Sequence, residues 1–127
     1  LIHFLYGFGM GNCDASSINI LTSNFYRNYG QLHYRWFVHQ WTFLEDGILG
    51  FGAFILIFIT ILKELIKYRT KNEINHQLLN LSIVITVVAI ITIWYNNTLK
   101  VDESYLTYFA ISCGIIAIKE YNKKERE

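Results

Sequence analysis

Charge is kept out of two long apolar runs, and this separation most constrains the fold. Residues 47–62 and 78–95 contain no charged side chain, whereas charges cluster at 63–73, 100–103 and 119–127. A helix needs about 20 mostly apolar residues to cross a hydrocarbon core about 30 Å thick. A chain of 127 residues, 53% of them hydrophobic, has too little polar surface to cover such helices in a soluble fold. The pattern therefore predicts a membrane protein.

Three membrane-spanning helices are predicted, at about 44–62, 78–95 and 104–118. The second run ends in Trp94 and Tyr95, residue types that favour the membrane–water interface. The third run is shorter than the other two. The predicted fold class is thus an all-α integral membrane protein, with residues 47–118 carrying the three transmembrane helices.

Residues 1–46 precede these spans and are predicted to form the end of an earlier helix, a glycine turn and a loop with a short amphipathic helix. The turn is Gly7-Phe8-Gly9-Met10-Gly11-Asn12, and residues 13–31 are polar and loop-like. From residue 34 onward a helical repeat predicts an apolar stripe and a polar face. Glu45 falls at the margin of the stripe, where a carboxylate needs a partner. The stripe comprises Tyr34, Phe37, Val38, Trp41, Leu44 and Ile48, and the polar face comprises Arg35, His39, Thr42 and Asp46.

Basic residues in the connecting segments predict the orientation of the chain. Segments 63–73 and 119–127 each hold four Lys or Arg side chains, whereas 96–103 holds only Lys100 beside two acidic residues. The positive-inside rule places the two basic segments, including the C-terminal tail 119–127, in the cytoplasm. Residues 7–46 are then expected on the outer face. Because the chain begins without Met or a signal peptide, further transmembrane helices are expected before Leu1.

The predicted outer segment combines residue types suited to chemistry on a phosphate-linked sugar. Arg27 and Arg35 offer planar forks of donors for phosphate oxygens, and His39 can exchange a proton near neutral pH. The aromatic rings could stack on sugars, although aromatic residues near a bilayer are commonly interfacial anchors. Arg27 could equally bind lipid phosphates, His33 could be an ordinary solvated residue, and Glu45 could pair with a cation on another helix. The sugar-stacking candidates are Tyr34, Trp36 and Trp41.

The sequence contains no motif typical of several other kinds of site. Cys13 and Cys113 stand far apart and form no disulfide framework or metal motif, and no Cys/His spacing for zinc is present. The expectation is therefore a site without metal or cofactor. The basic clusters are short and lie at helix ends, which speaks against nucleic-acid binding.

The order of these motifs resembles the O-antigen polymerase and ligase superfamily. In that family a glycine-containing turn opens a large outer loop, and a His-to-Gly pattern closes the loop and leads into a membrane helix. Here residues 7–12 match the turn, and His39-Gln40-Trp41-Thr42-Phe43-Leu44-Glu45-Asp46-Gly47-Ile48-Leu49-Gly50 matches the closing pattern. Gln40 departs from the commoner Asn or Ser. The short stretch 18–46 favours a repeat-unit polymerase over a ligase.

The resemblance implies transfer of glycan from a polyprenyl-diphosphate-linked oligosaccharide to a lipid-linked acceptor sugar. The reaction is expected at the outer face of the bacterial cytoplasmic membrane, in the assembly of O-antigen or capsule. On this basis Arg27 and Arg35 bind the diphosphate, His39 is the general base, and Glu45 orients His39 or holds the helix junction. The 127 residues alone are expected to be inactive, because about three spans cannot enclose a long lipid donor.

Two alternatives to the polymerase remain open at this stage. One is an O-antigen ligase-type glycosyltransferase with the same layout. The other is a non-catalytic small membrane subunit, in which Gly47, Gly50 and Gly52 form a groove for a partner helix or a lipid.

Overall fold

A computed structural model describes residues 2–71 and 75–126, and these residues are helical without any strand. This confirms the predicted all-α class. Residues 72 and 73 of the predicted basic segment 63–73 lie outside the described residues, as do Leu1 and Glu127. The helices are α1 (Ile2–Tyr6), α2 (Asn24–Tyr29), α3 (Val38–Tyr68), α4 (His76–Tyr95) and α5 (Ser104–Lys124), with 3₁₀ turns at Asn19–Leu21, Gly30–Leu32, Tyr34–Trp36 and Thr98–Lys100.

Two of these helices, α3 and α4, are long and apolar enough to cross a membrane, judged over the described residues. They contain the predicted spans 44–62 and 78–95. The third predicted span, 104–118, lies within the 21-residue helix α5, which is as long as α4 but is not among the helices apolar enough to cross a membrane. Only 11% of the most apolar window of α3 and 28% of that of α4 are buried, so most of this apolar surface is uncovered in the isolated chain.

The helical repeat predicted from residue 34 is wrong over its first four residues. Tyr34–Trp36 form a 3₁₀ turn, and Phe37 is extended, with φ −127° and ψ 132°. The α-helix begins only at Val38, whose backbone N–H donates to the carbonyl of Asn96 at 2.9 Å. Arg35 and His39 are therefore not on successive turns of one helix, as the repeat predicted.

The predicted polar and apolar faces also exchange members along α3. Thr42, assigned to the polar face, is buried at 2% exposure, whereas Ile48, assigned to the apolar stripe, is 39% exposed. Between these two residues lies Gly47, whose φ of 67° and ψ of −168° are not helical and interrupt the 100° repeat. The faces before and after Gly47 consequently do not share one register.

The stretch 13–31, predicted as a loop, contains helix α2. Ser23 is its N-cap: the Ser23 hydroxyl accepts from the backbone N–H of Tyr26 at 3.0 Å. A serine at this position satisfies a donor that the first turn of a helix leaves without an intrahelical partner. The polar composition that predicted a loop therefore includes a helix start signal.

The described residues separate into two compact units, one within Leu1–Ile55 and Ile93–Asn97, the other within Leu56–Thr92 and Thr98–Glu127. In the second unit the Ser82 hydroxyl lies between two backbone groups of α5. It donates to the carbonyl of Ala110 at 2.6 Å and accepts from the N–H of Gly114 at 2.8 Å. A Cβ on Gly114 would come within 2.5 Å of Ser82, so this close approach requires glycine. The core of this unit comprises Leu65, Leu79, Ala117 and Tyr121.

Candidate functional site around the glycine turn

The glycine turn lies directly against the point where α3 is interrupted. A Cβ on Gly7 would be 2.2 Å from the carbonyl oxygen of Glu45, and one on Gly47 would be 2.3 Å from that of Leu5. Both glycines also have positive φ, 72° and 67°. Side chains at these two positions would therefore clash with backbone and strain it as well. The backbone of the glycine turn is therefore in direct contact with the backbone of α3 at Gly47.

Hydrogen bonds from the turn satisfy carbonyls in the part of α3 before Gly47. The N–H of Phe8 donates to Leu44 at 2.8 Å, and the N–H of Gly9 donates to Glu45 at 2.9 Å. An interrupted helix leaves its last carbonyls without intrahelical donors, and buried carbonyls of this kind need partners. The glycine turn supplies those donors and so caps the first part of α3.

The Glu45 side chain joins the same contact. The residue is only 6% exposed, and its Oε1 accepts from the N–H of Gly11 at 3.1 Å. A buried carboxylate destabilises the folded protein unless it accepts hydrogen bonds, and the sequence pattern predicted that Glu45 would need such a partner. The partner is a backbone group of the glycine turn. Glu45 therefore lies at the helix junction, bonded through both its backbone and its side chain.

A second pair of contacts ties the residues after the turn to those before α3. The Tyr34 hydroxyl donates to the carbonyl of Cys13 at 2.8 Å, and burial raises the pKa of Tyr34 to about 12. The Arg35 guanidinium lies 2.7 Å from the carboxylate of Asp14 and 4.8 Å from the centroid of the Trp41 ring. We call residues 7–14 and 34–47 the loop base, and residues 15–33 between them the loop tip.

His39, the predicted general base, contacts the last turn of α4. Its Nδ1 is 3.1 Å from the carbonyl oxygen of Ile93, and its ring centroid is 5.0 Å from that of Trp94. A carbonyl oxygen only accepts hydrogen bonds, so Nδ1 must carry the proton in this contact. In the neutral ring Nε2 then holds the lone pair, and it is the nitrogen that could accept a proton.

The loop tip lines an open, largely polar cavity of about 550 Å³. Arg27 lies in its wall and donates from Nη2 to the carbonyl of Asn19 at 2.8 Å. His33, also in the wall, has a left-handed backbone with φ 55° and stacks on Trp36 at a centroid distance of 4.6 Å. Left-handed backbone is uncommon outside glycine and marks a position held by its surroundings.

An apolar groove of about 350 Å³ borders the same helix. Phe25 and Tyr29 of α2 line this groove, while Tyr26 and Arg27 of α2 line the polar cavity. The spacing of these residues gives the short helix two chemically different faces. The groove is completed by Phe8, Leu32, Tyr34 and Leu44.

The predicted site residues have different surroundings in the structure. Arg27 lies in the cavity wall, whereas Arg35 is not among the lining residues and is paired with Asp14. Of the three stacking candidates, Tyr34 and Trp41 are buried at 6% and 7% exposure, so neither ring is open to a sugar here. Trp36 is 61% exposed and keeps that possibility.

Sequence reasoning missed Asp14 and the carbonyl of Ile93, which hold Arg35 and His39. Both contacts join residues far apart in the chain, and neither has a local spacing signal. The role of His33 in the cavity wall was also missed. In the sequence, His33 follows Gly30 and precedes an aromatic cluster, a pattern that only weakly indicates a turn.

Comparison with known proteins leaves the site to be interpreted from its own chemistry: no protein-family model, curated protein or solved structure matches this chain.

Proposed function

We propose that this chain is the C-terminal part of a membrane polysaccharide polymerase. The enzyme would transfer glycan from a polyprenyl-diphosphate-linked donor to a lipid-linked acceptor sugar at the outer face of the bacterial cytoplasmic membrane. The single observation that carries the proposal is the contact between His39 and the carbonyl of Ile93. The Nδ1 of His39 is held by that carbonyl, so Nε2 is the nitrogen able to take the proton of an attacking hydroxyl.

Membrane insertion is supported by how little of the apolar surface the chain covers itself. In α3 and α4 only 11% and 28% of the most apolar windows are buried. The core helix of a soluble protein would be mostly buried, because uncovered apolar surface costs about 25 cal/mol per Å² in water. We propose that lipid covers α3, α4 and the apolar part of α5, with further helices of the natural chain beside them.

The loop base supports the part of the proposal that rests on sequence resemblance. The two stretches that resemble the O-antigen polymerase and ligase superfamily are residues 7–12 and 39–50, and their backbones touch at Gly7 and Gly47. Two stretches that resembled the family only by chance would not be expected to contact each other in the fold. Their contact fits the proposed role of Glu45 at the helix junction. His39 lies in the part of α3 that precedes this junction.

Arg35 is the proposed diphosphate ligand closest in sequence to His39. Its guanidinium is already paired with Asp14 at 2.7 Å, each side chain being 35% exposed. A partly exposed pair of this kind contributes about 1 kcal/mol to stability, so a donor phosphate could replace the carboxylate. The joint role of Arg27 and Arg35 on one diphosphate was predicted from the sequence alone, and we propose here only that Arg35 binds it.

The substitution His39→Asn tests the catalytic role without removing the structural contact. The amide nitrogen of Asn lies where Nδ1 lies in His, so it can still donate to the carbonyl of Ile93, but Asn cannot act as a base. In cells that make the natural full-length protein, elongation of lipid-linked glycan should fall by roughly 10²–10⁴-fold. The chain-length distribution of the glycan on gels measures this loss.

The matched control is His76→Asn, the same substitution at an exposed histidine at the start of α4. It should leave glycan length unchanged. If His39→Asn elongated glycan at the parental rate while His39→Ala lowered the amount of folded protein, His39 would be a structural cap on α4. That result would remove the catalytic role of His39.

A further inference from the structure

Arg27 presents a positive charge that the described residues do not neutralise. Its Nη2 donates to the carbonyl of Asn19, and no described carboxylate lies within ion-pair distance of it. The cavity that it lines contains no acidic side chain. Arg35 differs, because Asp14 neutralises it. Arg27 is exposed at the edge of an open polar cavity, and a guanidinium that has no counter-charge there can bind an anion from solution.

The rest of the cavity wall is suited to hydroxyl groups. Among the lining residues, Ser16, Ser17 and Thr22 carry hydroxyls, and Asn19 and Gln31 carry amides. The Ser16 and Thr22 oxygens already accept backbone N–H groups, so towards a ligand these two hydroxyls can still donate. Groups that both donate and accept match sugar hydroxyls, which do the same. The volume of about 550 Å³ falls within the range of about 300–1,000 Å³ found for small-molecule sites. The wall therefore fits a polar ring compound with one anionic group.

The charge of the cavity limits which anion fits. Arg27 is the only Lys or Arg in the wall, and His33 is the only other residue there that can become positive. One guanidinium fork matches one carboxylate through two parallel hydrogen bonds. A diphosphate carries more negative charge and is commonly held by several cations. A singly charged carboxylate is thus the better match.

The geometry points to the loop-tip cavity as a binding site for a sugar that carries one carboxylate, a uronic acid unit of the glycan. The inference rests on the proposed function, because the sugar is taken to belong to the glycan that the enzyme elongates. Arg27 binds the carboxylate, and the hydroxyl and amide side chains bind the ring. His33, fixed by its left-handed backbone and its contact with Trp36, lies in the cavity wall.

Saturation-transfer difference NMR on the full chain in lipid nanodiscs tests this site. The probes are glucuronic acid, glucose and glucose 1-phosphate, which share a ring and differ in the anionic group. Glucuronic acid should bind at least tenfold more tightly than glucose. Arg27→Gln should abolish that preference, since a hydrogen bond to a charged group contributes roughly a tenfold effect or more. Arg69→Gln, at an exposed arginine of the second unit, should leave it unchanged.

Arg27→Lys keeps the charge without the fork, and it should give intermediate affinity. This variant decides the matter if Arg27→Gln does not fold. Equal binding of glucuronic acid and glucose, or an unchanged preference in both Arg27 variants, would overturn the inference. Tighter binding of glucose 1-phosphate than of glucuronic acid would also overturn it and would restore the donor phosphate as the ligand of Arg27.

Failure of this site and failure of the proposed function give different results. If His39→Asn leaves glycan elongation intact while glucuronic acid still binds through Arg27, the cavity stands and the catalytic role of His39, which carries the proposed function, fails. If His39→Asn stops elongation but glucuronic acid shows no preference, the polymerase proposal stands and this inference fails.

Discussion

The loop base and the loop tip belong to one continuous segment, yet they are built in opposite ways. In the base, Gly7 and Gly47 bring two backbones into contact, and Glu45 is buried at 6% exposure. In the tip, Ile20 and Leu32 are 86% and 72% exposed, and a polar cavity stays open. The difference indicates that the base fixes the ends of the segment, while the tip keeps side chains available to ligand and lipid.

The largest effect should come from breaking the backbone contact of the base. Gly47→Ala adds a Cβ 2.3 Å from the carbonyl of Leu5 at a residue with φ 67°. We expect a loss of about 3 kcal/mol or more in the free energy of unfolding, measured by chemical denaturation in detergent micelles.

The matched control for this change is Gly52→Ala, in the helical part of α3. A Cβ there would meet nothing within 4 Å, so alanine should be neutral or stabilise by up to about 1 kcal/mol. Equal effects at Gly47 and Gly52 would mean that the two backbones do not touch.

The next effect concerns the Glu45 carboxylate. Glu45→Ala removes the acceptor of the Gly11 N–H and should cost about 1.5–3 kcal/mol of unfolding free energy, because the bond is charge-assisted. Glu45→Gln keeps an acceptor oxygen and should cost less. If the glutamine variant were as unstable as the alanine variant, the hydrogen bond to Gly11 would not be what stabilises this position.

Tyr34 gives a smaller effect with a characteristic pH dependence. Tyr34→Phe removes the bond to the carbonyl of Cys13 and should cost about 1 kcal/mol. Burial raises the pKa of Tyr34 from 10.0 to about 12, so the folded protein holds this proton more tightly than the unfolded chain does. Stability should therefore be unaffected below pH 10 and fall between pH 10 and 12.

The Tyr34→Phe variant should lack this part of the alkaline loss, measured as the difference between the two unfolding curves. An identical pH dependence in both proteins would show that Tyr34 is not buried in the base.

The smallest effect is expected in the tip. Leu21 is 69% exposed, so Leu21→Ser should change the free energy of unfolding in detergent by no more than about 0.5 kcal/mol. A loss as large as that of Glu45→Ala would show that the tip is packed like the base, and the contrast between them would disappear.

The sequence predicts the class of the fold well and the site only in part. Apolar runs mark α3 and α4 because helix length and hydropathy are local properties. The sequence also predicts that the Glu45 carboxylate needs a partner, because the helical repeat places it at the edge of an apolar stripe. The identity of that partner, Gly11, could not be predicted, because it lies 34 residues away in the sequence.

Contacts between distant residues explain the errors. The break at Gly47 exists because Leu5 and Gly7 approach its backbone, and the sequence presents it only as one glycine among several. The start of α3 at Val38 depends on the carbonyl of Asn96, and the position of His39 depends on that of Ile93. Such pairings follow from tertiary packing, which overrides local propensity.

Hydrogen exchange of the full chain in lipid nanodiscs tests the closed loop base most directly. The amides of Phe8, Gly9 and Gly11 donate to Leu44 and Glu45, so peptides covering residues 8–11 should exchange slowly. Peptides covering residues 15–22 in the tip should exchange much faster, and Gly47→Ala should remove the difference. Exchange of residues 8–11 as fast as that of the tip in the unaltered chain would contradict the account.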